Sequence, residues 1–351
     1  MYTIFDYIDY YKGQKLDEVK WNMMDNLICS LIAYCPIKET INKTTLRSLY
    51  ESVKNLKKDK GNLGTVAVKV IEIISLIYNS PRYKNIKIDN FVKVKNNNIQ
   101  FGALTLRLDG LTIVSFKGTD RSLIGWLENF RLAYEYPTET QKIALDYLNN
   151  NITLLDKNVY VLGHSKGGNL AMYAAMNTRM TIFRRIKNII NFDGPGFRNK
   201  EYLSPKYALL KTKLINVIPS NSLVGVLMHN DDYLVVKSKD LGYTAHYPYT
   251  WNIFGEYFIN DKLSSMSKEI HRKSTVELDK LDPKMLKETT ETLFMTIGKE
   301  YQNNFKMGFS DMERIYRNIN NIDPQVKEYI DTIFTSLIKP SFIGSESAKN
   351  D

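Results

Sequence analysis

An α/β fold on a mostly parallel central sheet, with helices on both faces, is the architecture this sequence predicts. Three observations predict it. Short β-prone runs alternate with helical stretches between about residue 100 and residue 220. One run, Val159–Leu162, passes at once into a glycine-rich turn and a helix. The pattern on either side of this core is helical.

Taken in order, residues 16–35 read as a helix, because Met24, Leu27, Ile28, Leu31 and Ile32 recur at the three-and-four spacing of one buried face, and Pro36 stops it. Val66–Tyr78 reads as a second buried helix, ended by Asn79-Ser80-Pro81. Phe101–Leu108 and Leu111–Lys117 are β-prone and joined by Asp109-Gly110, a good hairpin pair. Thr138–Asn150 is helical, with Ile143, Ala144, Tyr147 and Leu148 on one side. Asn158–Leu162 is a strand and Gly168–Met176 a helix. Strands follow at Ile186–Phe192, Lys213–Ile218 and Tyr233–Lys237. Beyond about Asn260 the pattern is helical, and Asp282-Pro283 and Asp323-Pro324 each set an N-cap residue before proline at the first helical position. The expected organisation is an N-terminal helical region over residues 1–95 packed on the core, a core over 96–260, a C-terminal helical region over 261–340, and a disordered tail over 341–351.

Composition narrows the class. The chain has 351 residues, 43% hydrophobic and 25% charged, an ordinary globular balance with enough length for a substantial core. No apolar run reaches the roughly 18–20 residues that span a bilayer, and Met1–Gly13 lacks the basic start of a signal peptide, so the expected location is the cytoplasm. The two cysteines, Cys29 and Cys35, suggest neither a disulfide framework nor a cysteine zinc site. No motif implies a metal or an organic cofactor. The net charge of +10 fits transient contact with an anionic membrane surface. The lysines are scattered, however, the densest group being Lys54, Lys57, Lys58 and Lys60, and no nucleic-acid-binding motif accompanies them.

The chemistry is concentrated at Gly163-His164-Ser165-Lys166-Gly167, a G-x-S-x-G string. A nucleophilic serine needs a sharp strand-to-helix turn that lifts its hydroxyl above the sheet edge, with small neighbours where helix and strand close up. Val159-Tyr160-Val161-Leu162 supplies the strand. Leu170, Ala171, Ala174 and Ala175 supply a helix with a small-residue face. Ser165 is thus the predicted nucleophile of an α/β-hydrolase fold, and the backbone N–H of Lys166 a predicted oxyanion donor.

The elbow Gly163–Ala171 resembles that of a bacterial lipase-like family, the Mbeg-like α/β-hydrolases, which is similar to the class 3 lipases. Phe116-Lys117-Gly118-Thr119-Asp120 followed by Gly125-Trp126-Leu127-Glu128 is similar to another segment of that family, with Lys117 where arginine is usual. Tyr7–Tyr34, Phe192–Phe197 and Val235–Trp251 also match, so the resemblance covers about residues 1–335. It implies hydrolysis of an ester or thioester acyl group through an acyl-serine, on a small-molecule or lipid-like substrate. A helical lid drawn from residues 50–95 or from the C-terminal region would fit such a substrate. By resemblance to the class 3 lipases, Thr119 is the second oxyanion donor.

Of four histidines, His164 precedes the nucleophile and reads as packing, and His271 as a surface residue. His229 and His246 remain. His246, in the loop Gly242–Pro248 after a strand, is preferred as base by its position and by the resemblance. The acid is the least determined member. The loop Pro219–Ser222 offers Asn221 but no carboxylate, and Asp231 and Asp232 read as turn residues. Asp193, at the end of the strand before, matches where pancreatic-type lipases place theirs, and is the predicted acid. The rival function is a catalytically inactive binding protein that keeps this fold.

Overall fold

The structure is a computed structural model that describes residues 2–58, 64–96, 98–119, 123–230 and 232–300, together with residues 324, 327 and 328. Two helices, α1 (Ile4–Tyr11) and α2 (Met23–Ile32), lead into β1 (Ile41–Thr45), α3 (Leu46–Val53) and α4 (Thr65–Ile77). Then come β2 (Lys87–Lys95), β3 (Gln100–Leu108), β4 (Leu111–Phe116), α5 (Leu123–Arg131), α6 (Glu139–Asn151) and β5 (Asn158–His164). After them follow α7 (Lys166–Asn177), α8 (Met180–Phe183), β6 (Ile186–Phe192), α9 (Asn199–Tyr202), α10 (Pro205–Lys211), β7 (Leu214–Pro219) and β8 (Tyr233–Val236). A small hairpin, β9 (Ile253–Phe254) and β10 (Tyr257–Phe258), precedes α11 (Ser265–Lys280) and α12 (Pro283–Glu300).

Strands β1 to β8 form one sheet in chain order. From β4 to β8 neighbours are parallel, as connections through α6, α7 and α10 require, and β1 to β4 form an antiparallel wing. Successive residues face opposite layers. Leu162, Ile190 and Phe192 pack under α1, α2 and α4, whereas Val159, Val161 and Ile189 pack under α6 and α7. The register aligns Phe116 with Gly163, His164 with Phe192, and Phe192 with Val217, so the residues that follow these strands emerge along one edge.

The Asp109-Gly110 hairpin is present, both residues having positive φ (41° and 77°), as a tight two-residue turn demands. Other expectations need correction. The helix expected over residues 16–35 is α2, Met23–Ile32, and it starts at Met23 because Asn22 caps it: its side chain accepts from Met24 N, and Asp25 accepts from Asn22 N at 2.9 Å. The region 1–95 is not only helical, since it contributes β1 and β2. Nor do the described residues within 50–95 form a separate lid. Val70, Ile71, Ile73, Ile74 and Ile77 are core residues, and Lys87–Lys95 is sheet. The helix expected at Asp323-Pro324 and the tail lie outside the described residues, three positions excepted. Asp282 does cap α12, its carboxylate accepting from Lys284 N at 2.8 Å. No helix among the described residues is long and apolar enough to cross a membrane.

Candidate active site

Ser165 sits at the turn between β5 and α7 with φ 59° and ψ −136°, a left-handed conformation that a non-glycine residue holds only under constraint. The constraints are visible. Ser165 N donates to Phe192 O at 2.9 Å, and Gly168 N donates to Ser165 O at 2.8 Å. A side chain at Gly163 would overlap the Gly167 carbonyl, and one at Gly167 the Phe116 carbonyl, so helix α7 closes onto the sheet only because both are glycine. Gly118 backs onto the same turn, where a Cβ would fall 2.9 Å from Ser165 Cβ. The Gly118-Thr119 turn thus lies against the elbow. The Thr119 hydroxyl donates to Asn129 Oδ1 at 2.7 Å. Asp120 lies outside the described residues.

Asp193 follows β6, fully buried and with φ 50°. Its carboxylate has three partners. Oδ2 lies 2.6 Å from His246 Nδ1, while Oδ1 accepts from Ser222 Oγ at 2.5 Å and from Gly225 N at 3.0 Å. The peptide around it is fixed by Asn191, whose side chain accepts from Gly194 N and donates to Gly194 O, both at 2.9 Å. Asn169 of α7 donates to the carbonyls of Pro195 and Gly196. The loop Pro219–Ser222 therefore provides a hydroxyl that supports Asp193. Asp232 is exposed and ion-paired with Lys211 at 3.0 Å, and Asp231 lies outside the described residues.

His246 ends a 3-10 turn, Gly242–His246, and is 5% exposed. Its ring packs on His164, centroids 4.5 Å apart, and its carbonyl lies 2.8 Å from His164 Nε2. His164 Nδ1 lies 2.9 Å from the Tyr34 hydroxyl, which also receives the Gly118 N–H. A carbonyl can only accept, so His164 carries its proton on Nε2 and Tyr34 donates to Nδ1. One chain of bonds thus links the Gly118 turn, the residue before Ser165 and the loop of His246. His164 is packing, as the sequence suggests, but packing that sets the register of the predicted base.

Burial first, and then the neighbouring His246, hold the His164 imidazole well below the ordinary histidine range. The unfolded chain, titrating near pH ~6.5, takes up the proton first, so stability present above that pH is lost as pH falls below it. The expected loss is at most about 1.4 kcal/mol per pH unit. Urea unfolding of the wild type and His164→Gln at pH ~7.5 and ~5 checks this, since only the wild type should show this loss; equal losses in both would contradict it.

The other histidines lie elsewhere. His229 Nε2 meets Asp279 Oδ2 of α11 at 2.7 Å, and His271 is half-buried, not a free surface residue, with Nδ1 2.9 Å from Val226 O.

The Lys166 side chain was no part of the sequence reading, and it is fully buried. Its ammonium lies 2.5 Å from Glu128 Oε2, 2.8 Å from Gln100 O and 3.3 Å from Gln100 Oε1. Glu128 Oε2 also accepts from Gln100 N at 3.1 Å, and Gln100 Nε2 reaches Gly118 O at 3.4 Å. Glu128, on α5, thereby ties that helix to the elbow. The one sequence signal was an acid fixed at the end of Gly125–Glu128. Among the described residues no cluster of metal-ligating side chains occurs. Cys29 and Cys35 are free and buried, and burial pushes the Cys35 thiol up to about 12.

A comparison with curated proteins finds no match. Among solved structures, that of M37 lipase is similar to this chain at a TM-score of 0.37 and 17% identity, over 57% of this chain and 68% of that one. The Mbeg1-like family matches residues 77–295, from the end of α4 into α12 and across the whole site. That span is more than half of the sequence, and the chain belongs to the Mbeg1-like family.

Proposed function

We propose that this protein is a serine hydrolase that cleaves an ester or thioester acyl group. The observation that carries the reading is the buried His246–Asp193 contact of 2.6 Å, held by the His164 ring against the strained turn that presents Ser165. Asp193 accepts the Nδ1 proton and leaves Nε2 as the lone-pair nitrogen, the tautomer a general base needs. Ser165 Oγ attacks the carbonyl carbon and His246 Nε2 takes its proton. The C–O or C–S bond to the leaving group then breaks, with that proton passing to the leaving atom. Water repeats the sequence on the acyl-serine, releasing the acid and the free hydroxyl. The backbone N–H groups of Lys166 and Thr119 receive the oxyanion, and the N-terminus of α7 adds its partial positive charge.

Tyr243 and Tyr247 stand around His246, the Tyr243 ring 5.9 Å from the imidazole, and suit an acyl chain with a polar end. A fluorophosphonate probe tests the reading directly. The wild type is expected to label at Ser165 and to hydrolyse short-chain or long-chain esters, and Ser165→Ala to do neither while melting at the same temperature. Undiminished labelling of Ser165→Ala would place the reactive nucleophile elsewhere, and an unreactive, well-folded wild type would leave the protein a binding scaffold.

A further inference from the structure

At the other end of the parallel strands, where β5 and β6 begin, the surface has a different character. The loop before β5 exposes Leu154 and Leu155 side by side, 74% and 89% accessible, and Met180 at the start of α8 is 50% accessible. Lys157, Arg179, Arg184 and Lys187 are all exposed around them, and Arg185 is half-buried. The loops form one surface, because Arg185 donates to Leu154 O at 3.3 Å and to Thr181 O at 2.9 Å. Between them lies a cleft of about 320 Å³ lined by Thr153, Arg179, Thr181 and Arg185.

The one carboxylate of residues 152–187 does not offset this charge. Asp156 is buried and turned inward, accepting from Thr153 N, Thr153 Oγ1 and Thr112 Oγ1 and pairing with Arg107. Nearby Asp232 is engaged by Lys211, which leaves Asp109 of the neighbouring hairpin as an acid beside this end of the sheet. Burial first, and then the charge of Lys187, hold the Lys213 ammonium below the usual lysine range.

We propose that this end of the molecule docks on an anionic lipid bilayer, with Leu154 and Leu155 entering the headgroup region and Lys157, Arg179, Arg184 and Arg185 facing the lipid phosphates. Charge complementarity supplies the class of partner: cations without a carboxylate partner among the described residues, set round an apolar tip, match anionic headgroups above hydrocarbon. The adjacent leucines favour a bilayer over nucleic acid, which would be met by stacking aromatics and not by aliphatic side chains.

The consequence for chemistry is one of orientation. Strand β5 has seven residues, so Ser165 lies about 20 Å from the docking end at ~3.3 Å per residue. The candidate active site would then face the aqueous side, and its substrate would arrive as a soluble acyl ester or thioester. The docking itself does not rest on the hydrolase reading, since vesicle binding is measured without turnover.

The test is flotation of the full chain with vesicles of phosphatidylcholine alone and of phosphatidylcholine with an equal amount of phosphatidylglycerol. The wild type is expected to float with the mixed vesicles only, and less so as salt rises. Each basic residue near such a surface contributes about fivefold, so Lys157→Gln/Arg179→Gln/Arg184→Gln should lower the partition coefficient about a hundredfold. Leu154→Ser/Leu155→Ser should lower it about tenfold or more and leave the salt dependence unchanged. These side chains carry little of the core, and matching circular dichroism would confirm that the variants fold. Three results would overturn the proposal: no flotation, flotation that neither variant alters, or salt-sensitive binding to single-stranded RNA that ignores the leucines. A dimer that Leu154→Ser/Leu155→Ser dissolves would make the patch an interface between copies and overturn it as well.

Discussion

Asp193→Asn is expected to fold as the wild type does and to lose about four orders of magnitude in kcat on any ester the wild type turns over. The size follows from the partners of the carboxylate. Gly225 N can only donate and Ser222 Oγ donates beside it, so an asparagine would turn its carbonyl oxygen to them. Its amide NH2 would then face His246 Nδ1 and donate to it. The imidazole would answer by carrying its own proton on Nε2, where it cannot accept one from Ser165, and no negative charge would remain to support the imidazolium. Volume and hydrogen-bond count barely change, so circular dichroism and the melting temperature should stay close to the wild type's. Near-normal turnover in Asp193→Asn would remove Asp193 from the acid's place and return attention to Asn221. Ser222→Ala is a graded companion, expected to lose far less, because Gly225 N still holds Oδ1 and the charge stays.

The contrast between what the sequence did and did not disclose follows from where each interaction is encoded. The elbow was legible because strand, turn and helix are contiguous, and the turn's need for small residues leaves glycines at 163 and 167. The surroundings of Asp193 were legible only in part. Its strand ending is local, but its contacts run across 53 residues to His246 and across 29 to Ser222. Tyr34, 130 residues from its partner His164, left no local trace at all. The outer strands of the antiparallel wing, β1 and β2, were missed for a different reason. Strand β1, Ile41-Asn42-Lys43-Thr44-Thr45, is an exposed edge with little apolar content. In β2 the alternation breaks at a bulge between Asp89 and Val92, where Asn90 takes φ 48°, so a period of two cannot be read through it. Helix α2 was read too long because its apolar stripe was visible while the Asn22 cap was not weighed. Lys166 enters the sequence reading only through its backbone N–H. Only the fold shows that its side chain is buried.

That burial sets the largest expected effect on stability. Lys166 and Glu128 are almost wholly removed from water, and the ammonium has Glu128, Gln100 O and Gln100 Oε1 around it. Glu128→Gln keeps the shape and an acceptor for Gln100 N, but it removes the carboxylate charge that the buried ammonium meets at 2.5 Å. Breaking a buried pair on one side costs about 3–5 kcal/mol, and that is the expected fall in unfolding free energy. Lys166→Met, which leaves the Glu128 carboxylate uncompensated, should cost a similar amount. The double variant Lys166→Met/Glu128→Leu removes both charges of the pair together. Its loss should therefore be well below the sum of the two singles, with a coupling of about 2 kcal/mol or more. Urea denaturation of the four proteins measures the cycle. Singles that each lose less than about 1 kcal/mol and simply add would show that the pair is solvated or loosely held, and that Glu128 does not tie helix α5 to the elbow.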